Sequence, residues 1–129
     1  MAKILLLDDN YGVLNAMARS LGKSHTITTS TQARSSLTRI FEGERFDAVL
    51  CDLTMPDMSG IAFYMMLRER CPAQAERIIL LSGNLDAPAV QVFLSKIPNF
   101  RFAKPWNIAE IKSAIEELVA RGEPIEAIQ

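Results

Sequence analysis

The chain has 129 residues, which suits one domain because a single hydrophobic core usually serves about 100–200 residues. Its 14 lysines and arginines nearly balance its 15 aspartates and glutamates, and 49% of its residues are hydrophobic. This composition excludes a disordered acidic tail and offers no basic excess for direct nucleic-acid binding. The two cysteines, Cys51 and Cys71, are too few for a disulfide scaffold and lack metal-binding spacing, so free thiols are expected.

The first apolar run of the sequence is relevant to the cellular location of the protein. It covers residues 4–7 and stops at the acidic pair Asp8 and Asp9, so no signal-peptide core follows Met1. No stretch reaches the about 20 apolar residues of a membrane span. We therefore expect a cytoplasmic protein without membrane attachment.

Short apolar runs alternate along the chain with longer segments of helical spacing. Four of the runs are rich in Ile, Leu, Val or Phe, which is typical of strands buried on both faces. The second run is polar and is predicted at an edge of the sheet. The five predicted strands cover residues 4–7, 26–28, 46–51, 78–81 and 100–103.

The segments between these strands repeat apolar residues at three- and four-residue steps, as amphipathic helices do. Ser59, Asp86 and Asn107 are predicted N-caps, and Asn107 has capping-box spacing to Glu110. Strict alternation of five strands and five helices predicts an α/β fold, a doubly wound parallel sheet with helices on both faces. The predicted helices cover about residues 11–21, 31–42, 60–70, 87–97 and 108–121.

Polar side chains follow four of the predicted strands, at the edge where open α/β sheets bind ligands. Asp8 and Asp9 follow the first strand and Asp52 follows the third. Ser82 follows the fourth strand and Lys104 follows the fifth. Each residue alone fits a helix cap or a solvated loop charge. Together, the clustered carboxylates would repel one another unless a divalent cation such as Mg²⁺ neutralised them.

This combination of groups indicates a particular chemistry. A metal ion, the Lys104 ammonium and the Ser82 hydroxyl around one carboxylate form a site for phosphoryl transfer. Asp52 lies centrally among the strands and is the predicted nucleophile, which would form an aspartyl phosphate.

Four segments, in this order and spacing, resemble the receiver domain of two-component response regulators, as in chemotaxis regulators. The resemblance covers residues 2–121 and implies a flavodoxin-like, five-stranded sheet of order 2-1-3-4-5 with five helices. We expect a receiver domain over residues 1–121 and a tail or the start of a linker over 122–129. The segments are residues 3–10 (KILLLDDN), 51–60 (CDLTMPDMSG), 80–83 (LLSG) and 103–106 (AKPW).

The resemblance implies a role for each matching residue. Asp52 corresponds to the phosphoacceptor. Asp8 and Asp9 correspond to the acidic pair that holds Mg²⁺ together with Asp52, and the Thr54 main-chain carbonyl corresponds to a further ligand.

Two further residues correspond to the groups that respond to phosphorylation. They are Ser82 and Lys104, which match a hydroxyl residue and a lysine that turn toward the phosphoryl group in the family. In the family, the peptide before the residue that matches Pro105 is commonly cis. The added charge repacks the fourth loop and fifth strand, and so changes the face of helix four, strand five and helix five. The implied partners are a sensor histidine kinase or phosphotransfer protein, an output protein or domain at that face, and a second copy in a homodimer.

One position departs from the family pattern. Arg101 stands where receivers usually carry Phe or Tyr. Because side chains alternate along a strand, Phe100 and Phe102 should share the face of Lys104, with Arg101 on the other face. One hypothesis makes Arg101 part of a polar, partner-sensing output face. The other makes it a solvated strand-edge residue with a weakly coupled switch.

Three other positions have smaller predicted roles. Thr54 is two residues past Asp52 and Asn84 is two past Ser82, and the resemblance implies that both positions tune the lifetime of the phosphoryl group. His25, the single histidine, is distant in sequence from every motif and is expected to be structural or exposed rather than phosphorylated.

The chain has three alternatives to an isolated switch. The first is a phosphatase of the haloacid-dehalogenase type, but that enzyme needs a second aspartate where this chain has Thr54. The second is a flavin or nucleotide binder, but that needs a glycine-rich loop where residues 9–12 read DNYG. The third alternative is that the chain is the N-terminal receiver of a larger regulator. We expect a signalling switch rather than an enzyme, with self-phosphorylation and self-dephosphorylation as its only chemistry.

Overall fold

The computed structural model describes residues 2–122, which form a five-stranded parallel sheet in the order β2-β1-β3-β4-β5. The predicted fold class and strand order are confirmed. Apart from residue 122, the predicted tail over 122–129 lies outside the described residues. The elements are β1 (Lys3–Leu7), α1 (Tyr11–Leu21), β2 (Thr26–Ser30), α2 (Ala33–Phe41), β3 (Ala48–Asp52), α3 (Gly60–Arg70), α4 (Pro72–Ala75), β4 (Ile78–Ser82), α5 (Pro88–Leu94), β5 (Arg101–Ala103) and α6 (Ile108–Ala120).

The central strands β1, β3 and β4 explain why the apolar runs are continuous rather than alternating. Leu5 and Val49 pack into a core layer with α2, α3 and α5. Leu6 and Leu50, one residue further along, pack into the opposite layer with α1 and α6. Every second side chain faces each layer, so both faces of these strands must be apolar. The polar strand β2 lies at one edge, as predicted, and β5 lies at the other.

Of the three predicted N-caps, Ser59 and Asn107 are present, and Asn10 also caps a helix. The side chains of Asn10 and Ser59 accept hydrogen bonds from backbone N–H groups two residues inside α1 and α3. The side chain of Asn107 accepts from the N–H of Ala109, the second residue of α6. In a capping box it would accept from the N–H of the third residue, Glu110.

The prediction that Asp86 caps a helix is wrong. Helix α5 begins at Pro88, and its N-cap residue Ala87 makes no side-chain hydrogen bond. Proline suits this first position because its ring presets the helical backbone angle and it has no N–H that needs a partner.

A short sixth helix, α4, is added to the five predicted ones. Pro72 ends the pattern of α3 but also begins α4, since proline is tolerated in a first helical turn. Gln74 of α4 is fully buried, and its amide accepts from the N–H of Phe46 at 2.8 Å and donates to the Phe46 carbonyl at 2.9 Å. Helix α4 is thereby tied to the segment that enters β3. None of the helices within residues 2–122 has the length and apolar character needed to cross a membrane.

Candidate functional site

Three carboxylates meet at the carboxyl edge of the sheet. Oxygen atoms of Asp8, Asp9 and Asp52 all lie within 4.8 Å of one another. Asp8 and Asp52 are only 2% and 3% exposed, whereas Asp9 is open to solvent. The structure thus brings together the acidic residues that the sequence places after two different strands.

The pairing of β1 with β3 produces this convergence. The two strands are parallel neighbours in which Leu7 lies opposite Cys51. The next residue of each chain segment is Asp8 or Asp52, so the two carboxylates emerge side by side. The site therefore depends on strand order and register rather than on any local motif.

Lys104 supplies a positive charge to this cluster from the edge strand. Its Nζ lies 2.8 Å from Oδ2 of Asp52 and 3.4 Å from Oδ2 of Asp8. The same ammonium lies 5.3 Å from the centre of the Trp106 ring, within the range of a cation–π interaction. The Lys104–Pro105 peptide is cis, as the resemblance implied.

The electrostatics of the buried groups show that the cluster has too little positive charge. Burial raises the pKa of Asp8, and the neighbouring Asp52 charge raises it further, although the N–H of Asn10 and the ammonium of Lys104 act in the opposite direction. Burial works against the charge of Lys104, but its hydrogen bonds and charge interactions with Asp52 and Asp8 together outweigh burial and raise its pKa. One ammonium facing three carboxylates leaves a net negative site that suits a cation.

Backbone N–H groups hold two of the reactive side chains. Oδ1 of Asp52 accepts from the N–H of Thr54 at 2.9 Å, which leaves Oδ2 for Lys104. Oγ of Ser82 accepts from the N–H of Asn84 at 3.0 Å. Ser82 is only 4% exposed, and its hydroxyl proton is donated to no acceptor within residues 2–122. That proton is therefore available to an incoming oxygen.

The two positions predicted to tune the phosphoryl lifetime lie beside these groups. The side chains of Thr54 and Asn84 are both exposed, although their backbone N–H groups contact Asp52 and Ser82. Their influence on lifetime stays a prediction.

Gly60 lies directly behind the end of β3, and the sequence indicated it only as part of a matching motif. A Cβ atom at this position would lie 2.7 Å from the Asp52 carbonyl oxygen and 2.8 Å from Cα of Leu53. The Gly60 N–H donates to the Leu53 carbonyl at 2.9 Å. The glycine thus permits α3 to begin against the end of β3.

Sequence reasoning missed the role of Asp57, which lies in the loop after β3. Its Oδ1 accepts from the N–H of Ala33 at 3.1 Å and its Oδ2 from the N–H of Arg34 at 2.9 Å. Burial raises the pKa of Asp57, but backbone hydrogen bonds and the nearby charge of Arg34 together outweigh burial and lower it. Asp57 thereby caps α2, whose own N-cap residue Gln32 makes no side-chain cap. A contact between residues 24 positions apart leaves no local sequence signal.

Arg101 points away from Asp52, on the strand face opposite Phe100 and Phe102, which pack with α1 and α6. Its guanidinium donates to the carbonyls of Leu94 at 3.1 Å, Ile97 at 2.8 Å and Asn99 at 2.9 Å. The alternation expected along the strand is present. The guanidinium is held by the end of α5 and the following loop rather than left to solvent, and its part in partner sensing stays a prediction.

The sheet order and the acidic cluster define a class of phosphoryl-accepting α/β domains, and comparison with known proteins specifies the family. The sequence-family model of the response regulator receiver domain matches residues 4–116. The chain belongs to the response regulator receiver domain family. Its relationship is therefore to two-component signalling, where receivers act as phosphorylation-dependent switches.

Relatives of known sequence include both single-domain and larger proteins. Sporulation initiation phosphotransferase F of Bacillus subtilis is 30% identical over 89% of this chain and 91% of its own length. The hydrogenase transcriptional regulatory protein HoxA of Bradyrhizobium diazoefficiens is 28% identical over 90% of this chain but only 24% of its own length. The chain spans about a quarter of the first curated relatives that it matches.

Solved structures agree with the fold. A response regulator receiver domain protein from Clostridium thermocellum superposes with a TM-score of 0.80 at 24% identity, covering 94% of this chain and 96% of that one. The receiver domain of the sensor histidine kinase PA1611 from Pseudomonas aeruginosa, solved with magnesium in its active-site cleft, has a TM-score of 0.74 at 28% identity. That superposition covers 92% of this chain and 98% of the other.

Proposed function

We propose that this chain is a signalling switch that accepts a phosphoryl group on Asp52. The observation that carries the proposal is the 2.8 Å contact between Nζ of Lys104 and Oδ2 of Asp52, made across the sheet edge. A carboxylate paired with an ammonium in a buried setting is oriented and charged, as a nucleophile must be. Ser82 offers its unused hydroxyl proton at the same edge.

The acidic cluster fits a magnesium ion. Asp8, Asp9 and Asp52 supply oxygen atoms, the ligands that Mg²⁺ prefers, and the Thr54 carbonyl accepts no hydrogen bond within residues 2–122. We propose these four groups as its ligands. When bound, the ion would neutralise charge on the carboxylates and on the transferred phosphoryl group.

Four residues of the chain would have separate roles in the transfer of the phosphoryl group. An oxygen of the Asp52 carboxylate attacks the phosphorus of the donor, a new P–O bond forms, and the bond from phosphorus to the donor atom breaks. Lys104 moves its contact from the carboxylate to a phosphoryl oxygen, since the phosphate carries the greater negative charge. Ser82 donates its hydroxyl proton to another phosphoryl oxygen in a hydrogen bond. The N–H of Thr54 holds the remaining carboxylate oxygen throughout.

Movement of Lys104 and Ser82 would be transmitted to the face formed by α5, β5 and α6. Lys104 directly follows β5, and Ser82 precedes the segment that leads to α5. Receiver domains interact with histidine kinases or phosphotransfer proteins. We propose such a protein as the phosphodonor, and an output protein, an output domain or a second copy of the chain as the partner at this face.

A second organisation is also proposed, in which the chain is one domain of a longer regulator. Curated relatives such as HoxA are about four times longer than the matched segment, because that segment covers 24% of their length. In that case the output partner at the α5–β5–α6 face is another part of the same polypeptide.

The mass of the intact protein tests the phosphoacceptor. Incubation with Mg²⁺ and acetyl phosphate should add the mass of one phosphoryl group to the wild type and none to Asp52→Asn. Asp57→Asn is a matched control, because Asp57 is an aspartate five residues away that caps α2, and it should be phosphorylated normally. Equal phosphorylation of Asp52→Asn, or no phosphorylation of the wild type by any small donor or kinase, would refute the proposal.

A further inference from the structure

A second cleft lies at the amino ends of β4 and β5, at the opposite edge of the sheet from the acidic cluster. Its volume is about 390 Å³, within the range of about 300–1,000 Å³ that small-molecule sites occupy. Residues of α3 form one wall, and the loop between α5 and β5 forms the other. Nothing in the phosphoryl-transfer chemistry uses this cleft.

The rim of this cleft is positively charged and unpaired. Arg68, Lys96 and Arg121 line it, with Glu76 as its one acidic residue. All four side chains are exposed, and none forms an ion pair or a side-chain hydrogen bond within the described part of the chain. Three cations against one carboxylate attract an anionic group, and the arginine guanidinium favours phosphate oxygens in particular.

The wall of the cleft contains two buried polar side chains with unused hydrogen-bonding groups. Tyr64 is 4% exposed and packs edge-to-face on Phe93 at 5.4 Å, yet its hydroxyl bonds to no residue in 2–122. Asn99 is 5% exposed, and its Nδ2 donates to the carbonyls of Ala75 and Ile78, whereas its Oδ1 has no partner. Buried polar atoms are nearly always paired, so the unpaired Oδ1 of Asn99 points to a ligand that supplies its partner. The Tyr64 hydroxyl, which solvent reaches and no residue in 2–122 engages, offers that ligand a further hydrogen bond.

We propose that this cleft binds a nucleoside phosphate. The phosphate would lie among Arg68, Lys96 and Arg121 at the rim, where the charge is unpaired. The Tyr64 hydroxyl would donate to the ligand, and an amino group of the base would approach Asn99. The partly buried ring of Phe100, which also lines the cleft, offers an apolar surface to the flat base.

The test measures binding of AMP and GMP to the full 129-residue chain by titration calorimetry, with inorganic phosphate and a glutamate-rich peptide as comparison ligands. One of the two nucleotides should bind at least tenfold more tightly than either comparison ligand. Tyr64→Phe removes only the hydroxyl and should weaken nucleotide binding roughly tenfold, the effect of one good hydrogen bond. Nucleotide binding by the wild type should weaken as salt is added, and the double variant Arg68→Gln/Lys96→Gln should lose nucleotide binding.

Two controls separate this proposal from folding defects and from the proposed switch. Lys23→Gln removes an exposed lysine distant in sequence from the cleft residues and should bind as the wild type does. Asp52→Asn should also bind normally, so loss of phosphorylation and loss of nucleotide binding are independent results. Thermal unfolding of Tyr64→Phe checks that the variant is folded. No nucleotide binding, equal binding of inorganic phosphate, or preference for the acidic peptide would overturn the proposal.

Discussion

Lys104 and Asp52 are in direct contact although the strands that carry them are not neighbours. Nζ of Lys104 lies 2.8 Å from Oδ2 of Asp52, and β4 separates β5 from β3 in the sheet. The lysine side chain therefore crosses the end of a whole strand. This contact places the residue that follows the edge strand β5 directly against a carboxylate at the centre of the sheet.

Removal of this ammonium should destabilise the protein in the absence of metal. In Lys104→Gln the buried carboxylates of Asp8 and Asp52 lose the only cation near them among residues 2–122. A buried polar group left without its partner costs about 1–3 kcal/mol, and a charged group costs more. Urea unfolding at pH 7 with a chelator should show this loss. Lys23→Gln should unfold as the wild type does, and an unchanged midpoint for Lys104→Gln would show that solvent screens the cluster.

Trp106 should report metal binding. It is the only tryptophan, and the ammonium of Lys104 lies 5.3 Å from its ring. A divalent cation among the carboxylates would weaken the contacts of Lys104 and so alter the surroundings of the indole. Titration with Mg²⁺ should change the fluorescence to a saturable limit, and a chelator should reverse the change. Asp9→Asn should need several-fold more Mg²⁺, whereas an identical titration curve would exclude Asp9 as a ligand.

Asp57 should stabilise α2 in a pH-dependent way. Asp57→Ala removes both acceptors for the Ala33 and Arg34 N–H groups and should cost about 1 kcal/mol, as for other helix N-caps. Because folding lowers the pKa of Asp57 below its ordinary 3.8, the contribution is complete above that value and disappears as the pH falls through the lowered pKa. Urea unfolding of both proteins across this pH range measures the difference. Asp86→Ala is the matched control, since Asp86 caps no helix and should change stability little.

Gly60 and Gly83 should respond differently to the same change. Gly60→Ala places a methyl group 2.7 Å from the Asp52 carbonyl oxygen, which is backbone that must move, at about 1–3 kcal/mol. The variant should also accept the phosphoryl group from acetyl phosphate more slowly. Gly83→Ala meets no atom within 4 Å and should unfold as the wild type does. Equal unfolding midpoints for the two variants would contradict the packing of α3 against β3.

Arg101 should hold the end of α5. Arg101→Met keeps most of the side-chain length but removes the donors to Leu94, Ile97 and Asn99, and should cost about 1–3 kcal/mol. Amide hydrogen exchange of residues 95–97 should become faster. Arg19→Met, at an exposed position of α1, is the control. Unchanged exchange in Arg101→Met would instead favour a side chain that is free for a partner.

The sequence by itself determined the fold class, because continuous apolar runs and three- to four-residue repeats alternate along the chain. The sequence also showed that the predicted strands are followed by polar residues, namely Asp8, Asp52, Ser82 and Lys104. Because the carboxyl ends of parallel strands lie at the same edge of a sheet, these residues were expected to lie close together. The strand order was available only through the family resemblance. The convergence of these residues could be expected, but not that Lys104 contacts Asp52 more closely than Asp8.

Contacts between distant segments were decided only by the tertiary structure. Asp57 caps a helix that begins 24 residues earlier, whereas Asp86, which has the better local pattern, caps none. Arg101 could be assigned to a face by strand alternation, but its three carbonyl partners depend on where α5 ends. Local sequence patterns show how a segment provides hydrogen-bond partners for its own backbone N–H and C=O groups. Which distant side chain completes a helix end depends on packing, and packing brings residues together without regard to their separation in the chain.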